Sequence, residues 1–119
     1  MTHNQKVGEF GETLAKNYLI RHGYKIIDAN VKLSYQELDV VAAIDNQIIF
    51  VEVKTRVSQF YGPAENALQF TKLGRFRRGM EMYLGNKKLN VDNARADLIT
   101  VDIDRTTKIA KIKHYKDIL

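Results

Sequence analysis

Two short stretches carry the residues best able to do chemistry, Glu37-Leu38-Asp39 and Glu52-Val53-Lys54. Each interrupts a hydrophobic run: Val40-Val41-Ala42 follows the first, and Ile48-Ile49-Phe50-Val51 precedes the second. Side chains alternate across a strand, so Glu37 and Asp39 share one side of theirs, and Glu52 and Lys54 share one side of theirs. An ionised group taken out of water must be paired, bind a metal or change its protonation state. Two carboxylates, Asp39 and Glu52, can hold a divalent ion, with the backbone carbonyl of Val53 as a third oxygen. Such an ion polarises a phosphodiester and lowers the pKa of bound water. Lys54 beside it can position or deprotonate that water and stabilise charge developing on phosphate, so the set suits phosphodiester hydrolysis. The plainer alternative is an exposed Glu52–Lys54 pair on a half-wet sheet, worth about 0–1 kcal/mol. The apolar neighbours on both strands count against it.

These residues need a frame to bring them together. Asp45-Asn46 tolerates the positive φ of a type I′ turn and joins strands over Glu37–Ile44 and Gln47–Thr55 into a hairpin. Ahead of it, Val7, Phe10, Leu14, Ala15, Tyr18 and Leu19 recur at helical spacing, giving a first helix over Val7–Arg21 that ends at His22-Gly23. Projection at roughly 100° per residue puts Glu12 at the border of the apolar arc, with Glu9 and Lys16 well outside it. Tyr24–Asn30 reads as a short strand and Val31–Tyr35 as a polar connection. After a loop over Val57–Pro63, a long helix is expected over Ala64–Leu84, with Leu73, Phe76, Met80, Tyr83 and Leu84 on one side. Lys72, Arg75 and Arg78 fall together on another side, as a solvated face or a track for phosphates. Gly74 and Gly79 each weaken that helix by about 1 kcal/mol, and a kink or break near Gly74 is possible. Gly85–Ala94 reads as a loop, and Leu98–Ile103 and Lys108–Tyr115 as closing strands, with Asp97 a structural or strand-start carboxylate.

The 119 residues suit one domain over residues 1–119, an α/β unit in the order helix, three strands, helix, two strands. With no cysteine and three histidines, a metal would sit on oxygen ligands, which favours Mg2+ or Mn2+. A net charge of +5 favours an anionic partner. Neither a signal-type apolar core nor a bilayer-length run is present, so a cytoplasmic protein without a membrane partner is expected.

The chain resembles the YraN-like bacterial proteins, described as endonucleases related to archaeal Holliday junction resolvases within the PD-(D/E)xK restriction-endonuclease-like superfamily. The resemblance rests on Gly11-Glu12 with Ala15, Tyr18 and Leu19, then Gly23-Tyr24, Asn30 and Glu37-Leu38-Asp39. It continues through Phe50-Val51-Glu52-Val53-Lys54-Thr55-Arg56, Tyr61-Gly62-Pro63-Ala64-Glu65-Asn66-Ala67, Lys72 and Asp97-Leu98-Ile99. It implies a restriction-endonuclease-like three-layer fold, a central mixed sheet flanked by helices. It also implies Asp39 and Glu52 as metal-binding carboxylates, Lys54 as the catalytic lysine, and Glu12 as an acid approaching the same metal. DNA is the implied substrate, branched DNA included, and a homodimer is the implied assembly on a junction. The helix face of Lys72, Arg75 and Arg78, with Arg56, is the expected contact with the DNA. Two departures stand out, Gln36 where the family usually places glycine and Val31-Lys32 after Asn30. A non-catalytic nucleic-acid module and a protein-interaction scaffold are the alternatives, the latter resting on apolar residues such as Phe60, Tyr61 and Leu119.

Overall fold

The structure, a computed structural model, describes residues 2–34, 36–57, 70–89 and 91–119; the side chains at 4, 70–72 and 91 lie outside that description. The elements run α1 (His3–Arg21), β1 (Lys25–Leu33), β2 (Gln36–Ile44), β3 (Gln47–Val57), α2 (Phe70–Asn86), β4 (Ala94–Asp104) and β5 (Ile109–Tyr115). A 3₁₀ turn, Val91–Asn93, leads into β4. The strands form one sheet in the order β1-β2-β3-β4-β5. Neighbours are antiparallel except β3 and β4, which are parallel. A parallel pair needs a long crossover, and the segment containing α2 provides it. The result is a mixed α/β sheet with a helix on each face.

Both faces of the sheet are buried, which explains the near-continuous apolar runs of β2 and β3. On one face Ala15 and Leu19 of α1 pack with Val40, Ile49, Val51, Ile99 and Val101. On the other, Phe76, Tyr83 and Leu84 of α2 pack with Leu38, Val41, Phe50 and Ala96. The α2 stripe matches the sequence expectation at Phe76, Met80, Tyr83 and Leu84. In α1 Phe10 departs from it, lying 53% exposed.

Local chemistry sets the boundaries. Thr2 caps α1 in a reciprocal capping box with Gln5, one turn ahead of the expected start. Gly23, with φ 90°, ends it as expected, and Asp45 and Asn46 both take positive φ in the hairpin turn. The expected connection over Val31–Tyr35 is corrected. Val31 through Leu33 continue β1, pairing Val31 with Leu38 and Leu33 with Gln36, because Val31 and Leu33 can turn inward while Lys32 turns out. β4 begins at Ala94, so Asp97 stands inside the strand rather than at its start. α2 is unbroken through Gly74 and reaches Asn86, while the expected helix start at Ala64 and loop to Pro63 fall largely on residues 58–69, outside the description.

Candidate functional site

β2 and β3 pair from Ile44↔Gln47 to Val40↔Val51, and their ladder stops there. Leu38 and Val41, three residues apart, both pack on the α2 side, so strict alternation breaks between them, at Asp39. Where the ladder would continue, the Asp39 side chain takes over and Oδ2 accepts the Val53 N–H at 2.8 Å. In an extended strand the N–H and C=O of one residue point to the same flank. The Val53 carbonyl therefore also faces the gap between the two strands.

Asp39 and Glu52 line one pocket of about 340 Å3 with Gln36, Glu37 and Phe76. Glu52 is buried, 7% exposed, which sets aside the reading of an exposed surface pair. Lys54, two residues on and on the same side of β3, brings Nζ to 3.9 Å from Glu52 Oε1. Burial first, then the negative charge of Glu52, pushes the Asp39 carboxyl up to about 8; the Val53 N–H opposes that rise, and Glu12 adds to it. Two carboxyl groups in one partly desolvated pocket resist joint ionisation unless a cation joins them. That donor set, with a carbonyl at its flank, fits a hard divalent ion.

Glu12 approaches from the other side of the sheet. α1 can press against β3 because Gly11 has no side chain: a Cβ there would run into Thr55 Oγ1, with Thr55 Cβ 2.7 Å away. Glu12 lines a second groove with Glu9, Asn30, Lys32 and Glu37. Burial and the Glu37 charge raise its pKa, while Lys16 and a hydrogen bond from Asn30 lower it. Glu37 lines both grooves, so it is a neighbour of both acids. Among the described residues no group of three or more His, Asp or Glu side chains is gathered as a metal cage. Asp39 and Glu52 are thus a pair, with Glu12 within electrostatic reach.

Arg75 and Arg78 are exposed on α2 and line a third groove with Leu33, Ser34, Gln36 and Met82. Arg56 lies half-buried near the end of β3 and is not part of that lining. The Lys72 side chain falls outside the described residues, as do Phe60 and Tyr61.

The comparisons with known proteins bear on the same stretch. The family described as "Uncharacterised protein family UPF0102" matches residues 11–101, which span Glu12, Asp39, Glu52, Lys54 and Asp97. The chain belongs to the UPF0102 family. A UPF0102 protein of Alkaliphilus oremlandii is 37% identical over 116 residues, covering 96% of this chain and 97% of the relative. UPF0102 proteins of Moorella thermoacetica and Caldicellulosiruptor bescii are 34% and 36% identical, covering 98% and 95% of this chain and 96% of each relative.

One cluster, centred on Asp97 within the UPF0102 match and completed by His114 and Asp117 beyond it, is larger than its sequence suggests. Asp97, fully buried, accepts from Arg95 Nε and Nη2 at 2.9 Å each, and from the Asp117 N–H at 3.0 Å. His114 Nε2 lies 2.7 Å from it and His114 Nδ1 lies 3.3 Å from the Tyr18 hydroxyl. Desolvation acts to raise the Asp97 pKa, but His114, Arg95 and the Asp117 N–H together hold it below the usual carboxylate range. The structural role expected of Asp97 fits this. Arg95 stands two residues away on the same strand, but His114 and Asp117 come from β5 and the segment after it, and no local spacing signals those two. Asn30 as the partner of Glu12 was equally silent, since that pairing depends on how α1 crosses β1.

Proposed function

We propose that this chain is a metal-dependent endonuclease acting on DNA phosphodiester bonds, related to the PD-(D/E)xK enzymes, with branched DNA among its substrates. The observation that carries the reading is the Asp39–Glu52 pair in one pocket where the β2–β3 ladder opens, with Lys54 beside Glu52. Asp39, Glu52 and the Val53 carbonyl are the ligands for Mg2+ or Mn2+. The ion, when bound, supplies Lewis-acid polarisation of the phosphate and a lowered water pKa. Lys54 orients the attacking water and offsets negative charge as the phosphorus–oxygen bond to the leaving sugar breaks. Glu12 contributes negative charge from the adjoining groove. Arg75, Arg78, Arg56 and Lys72 are the proposed backbone contacts, and the net charge of +5 favours them. On a two-fold junction the active unit is a homodimer.

The test is cleavage of branched and linear DNA with each metal. Asp39→Asn and Lys54→Ala should each slow it by about 10²–10⁴-fold, the range for removing a general acid–base or metal-binding group. Cleavage untouched by both substitutions overturns the mechanism. A second reading, a nucleic-acid module without catalysis, draws on the Arg75–Arg78 groove, whose lining shares Gln36 with the acid pocket but neither of its metal-binding acids. Binding that survives Asp39→Asn, with no cleavage under either metal, selects it.

A further inference from the structure

The groove between α2 and the adjoining ends of β1 and β2 differs from an ordinary phosphate track. Its volume is about 610 Å3, and its lining combines two arginines with Leu33, Met82, Ser34 and Gln36. That volume is within the range of specific small-molecule clefts. Arg75 and Arg78 are three residues apart and therefore neighbours on one helix face. Met82, 41% exposed, extends that face. The helix sits this close because of Gly79, where a Cβ would lie 3.2 Å from Leu38 Cδ2 and 3.6 Å from Gln36 Cβ. Gly79, costly to a free helix, thus brings the arginines against the start of β2.

Duplex DNA presents phosphates and base edges to a protein surface, and phosphates alone need no apolar floor. An unpaired base offers a flat π face, which methionine sulfur, aliphatic carbon and arginine planes all accept. Gln36 adds an independent observation. Its Oε1 is buried without a hydrogen-bond partner, a state that calls for an explanation. Gln36 also lines the acid pocket, so the groove begins where the Asp39–Glu52 pocket ends.

We propose that this groove seats an unpaired nucleotide next to the scissile phosphate: the base against Leu33 and Met82, its edge toward Gln36, and its phosphates on Arg75 and Arg78. The Gln36 amide, turned toward the groove, accepts a base N–H. The inference rests on the nucleic-acid reading above and adds what selects the substrate. A strand with an unpaired segment is preferred over continuous duplex because only it can deliver a base to this floor.

The test is equilibrium binding in chelator, where cleavage is absent. It compares a blunt duplex, the same duplex with a single-stranded flap, and free deoxyadenosine monophosphate as competitor. The wild-type protein should favour the flap by about tenfold, the scale of one base–side-chain stack. Met82→Ser, which leaves the charge unchanged, should abolish that preference while leaving blunt-duplex affinity within about twofold, and Met82→Leu should keep it; thermal melts check that both variants fold. Equal wild-type affinity for flap and blunt duplex overturns the proposal while leaving the nuclease reading standing. So does a Met82→Ser loss shared equally by both DNAs, or competition by the free nucleotide without any flap preference. No binding to any DNA removes the nucleic-acid reading itself.

Discussion

At the scale of single residues, half-buried Asp39 and fully buried Asp97 are held in opposite states. Asp39 keeps its proton up to about 8 in the folded chain, against an ordinary 3.8. Between those values the folded state binds more protons than the unfolded one, so this residue's contribution to stability falls as pH rises and levels off above about 8. In chelator, the wild-type melting temperature should drop across that window relative to Asp39→Asn; parallel pH profiles would show that Asp39 does not hold its proton. Asp97 has the reverse sign. Its pKa is lowered, so its contribution is present above the unfolded value and is lost as pH falls through the folded one. Asp97→Ala leaves Arg95 and His114 facing an empty position and should cost about 3–5 kcal/mol in a urea titration. A loss below about 1 kcal/mol would mean that the network does not anchor the strand. The two acids also differ in legibility. Asp39 stood out because a charge inside an apolar hairpin needs a reason, whereas the partners of Asp97 lie at Arg95, His114 and Asp117, and the last two become neighbours only once β5 pairs with β4.

At the scale of elements, close approaches position the site. Gly11 lets α1 touch β3 at Thr55, one residue from Glu12 on the helix and one from Lys54 on the strand. Gly11→Ala should therefore destabilise the fold by about 1–3 kcal/mol, as overpacking does. Adding Thr55→Ala should recover part of that loss, because the Cβ of residue 55 remains 2.7 Å from the new methyl. Independent, additive effects in this double-mutant cycle would contradict the contact. The hairpin was readable because its turn residues and its apolar pattern agree on one register. β1 was cut short because Val31 and Leu33, separated by Lys32, make too brief an alternation to stand out without β2 beside them. Gly79 could be recognised only as a weak helix position, since its value lies in β2, far away in sequence.

At the scale of the whole molecule, one sheet carries helices on both faces and opens its β2–β3 ladder where the acids meet. Among the described residues no helix is long and apolar enough to cross a membrane. The element order was legible from periodicity, and the border position of Glu12 from helical projection, but strand order and the Glu12–Asn30 pairing were not, because they depend on a parallel crossover and on helix docking. The excess of basic over acidic residues, 19 against 14, makes salt dependence a molecule-wide expectation. Arg75→Gln and Arg78→Gln should each reduce the slope of log affinity against log salt by about 1, uniformly across DNA sequences. An unchanged slope would place the phosphates elsewhere. The central claim is that Asp39 and Glu52 form a metal site, and calorimetric titration with Mn2+ tests it most directly. The account predicts binding by the wild-type protein, lost or weakened at least about tenfold in both Asp39→Asn and Glu52→Gln, with both variants folded. Mn2+ binding with the same affinity in all three proteins would contradict it.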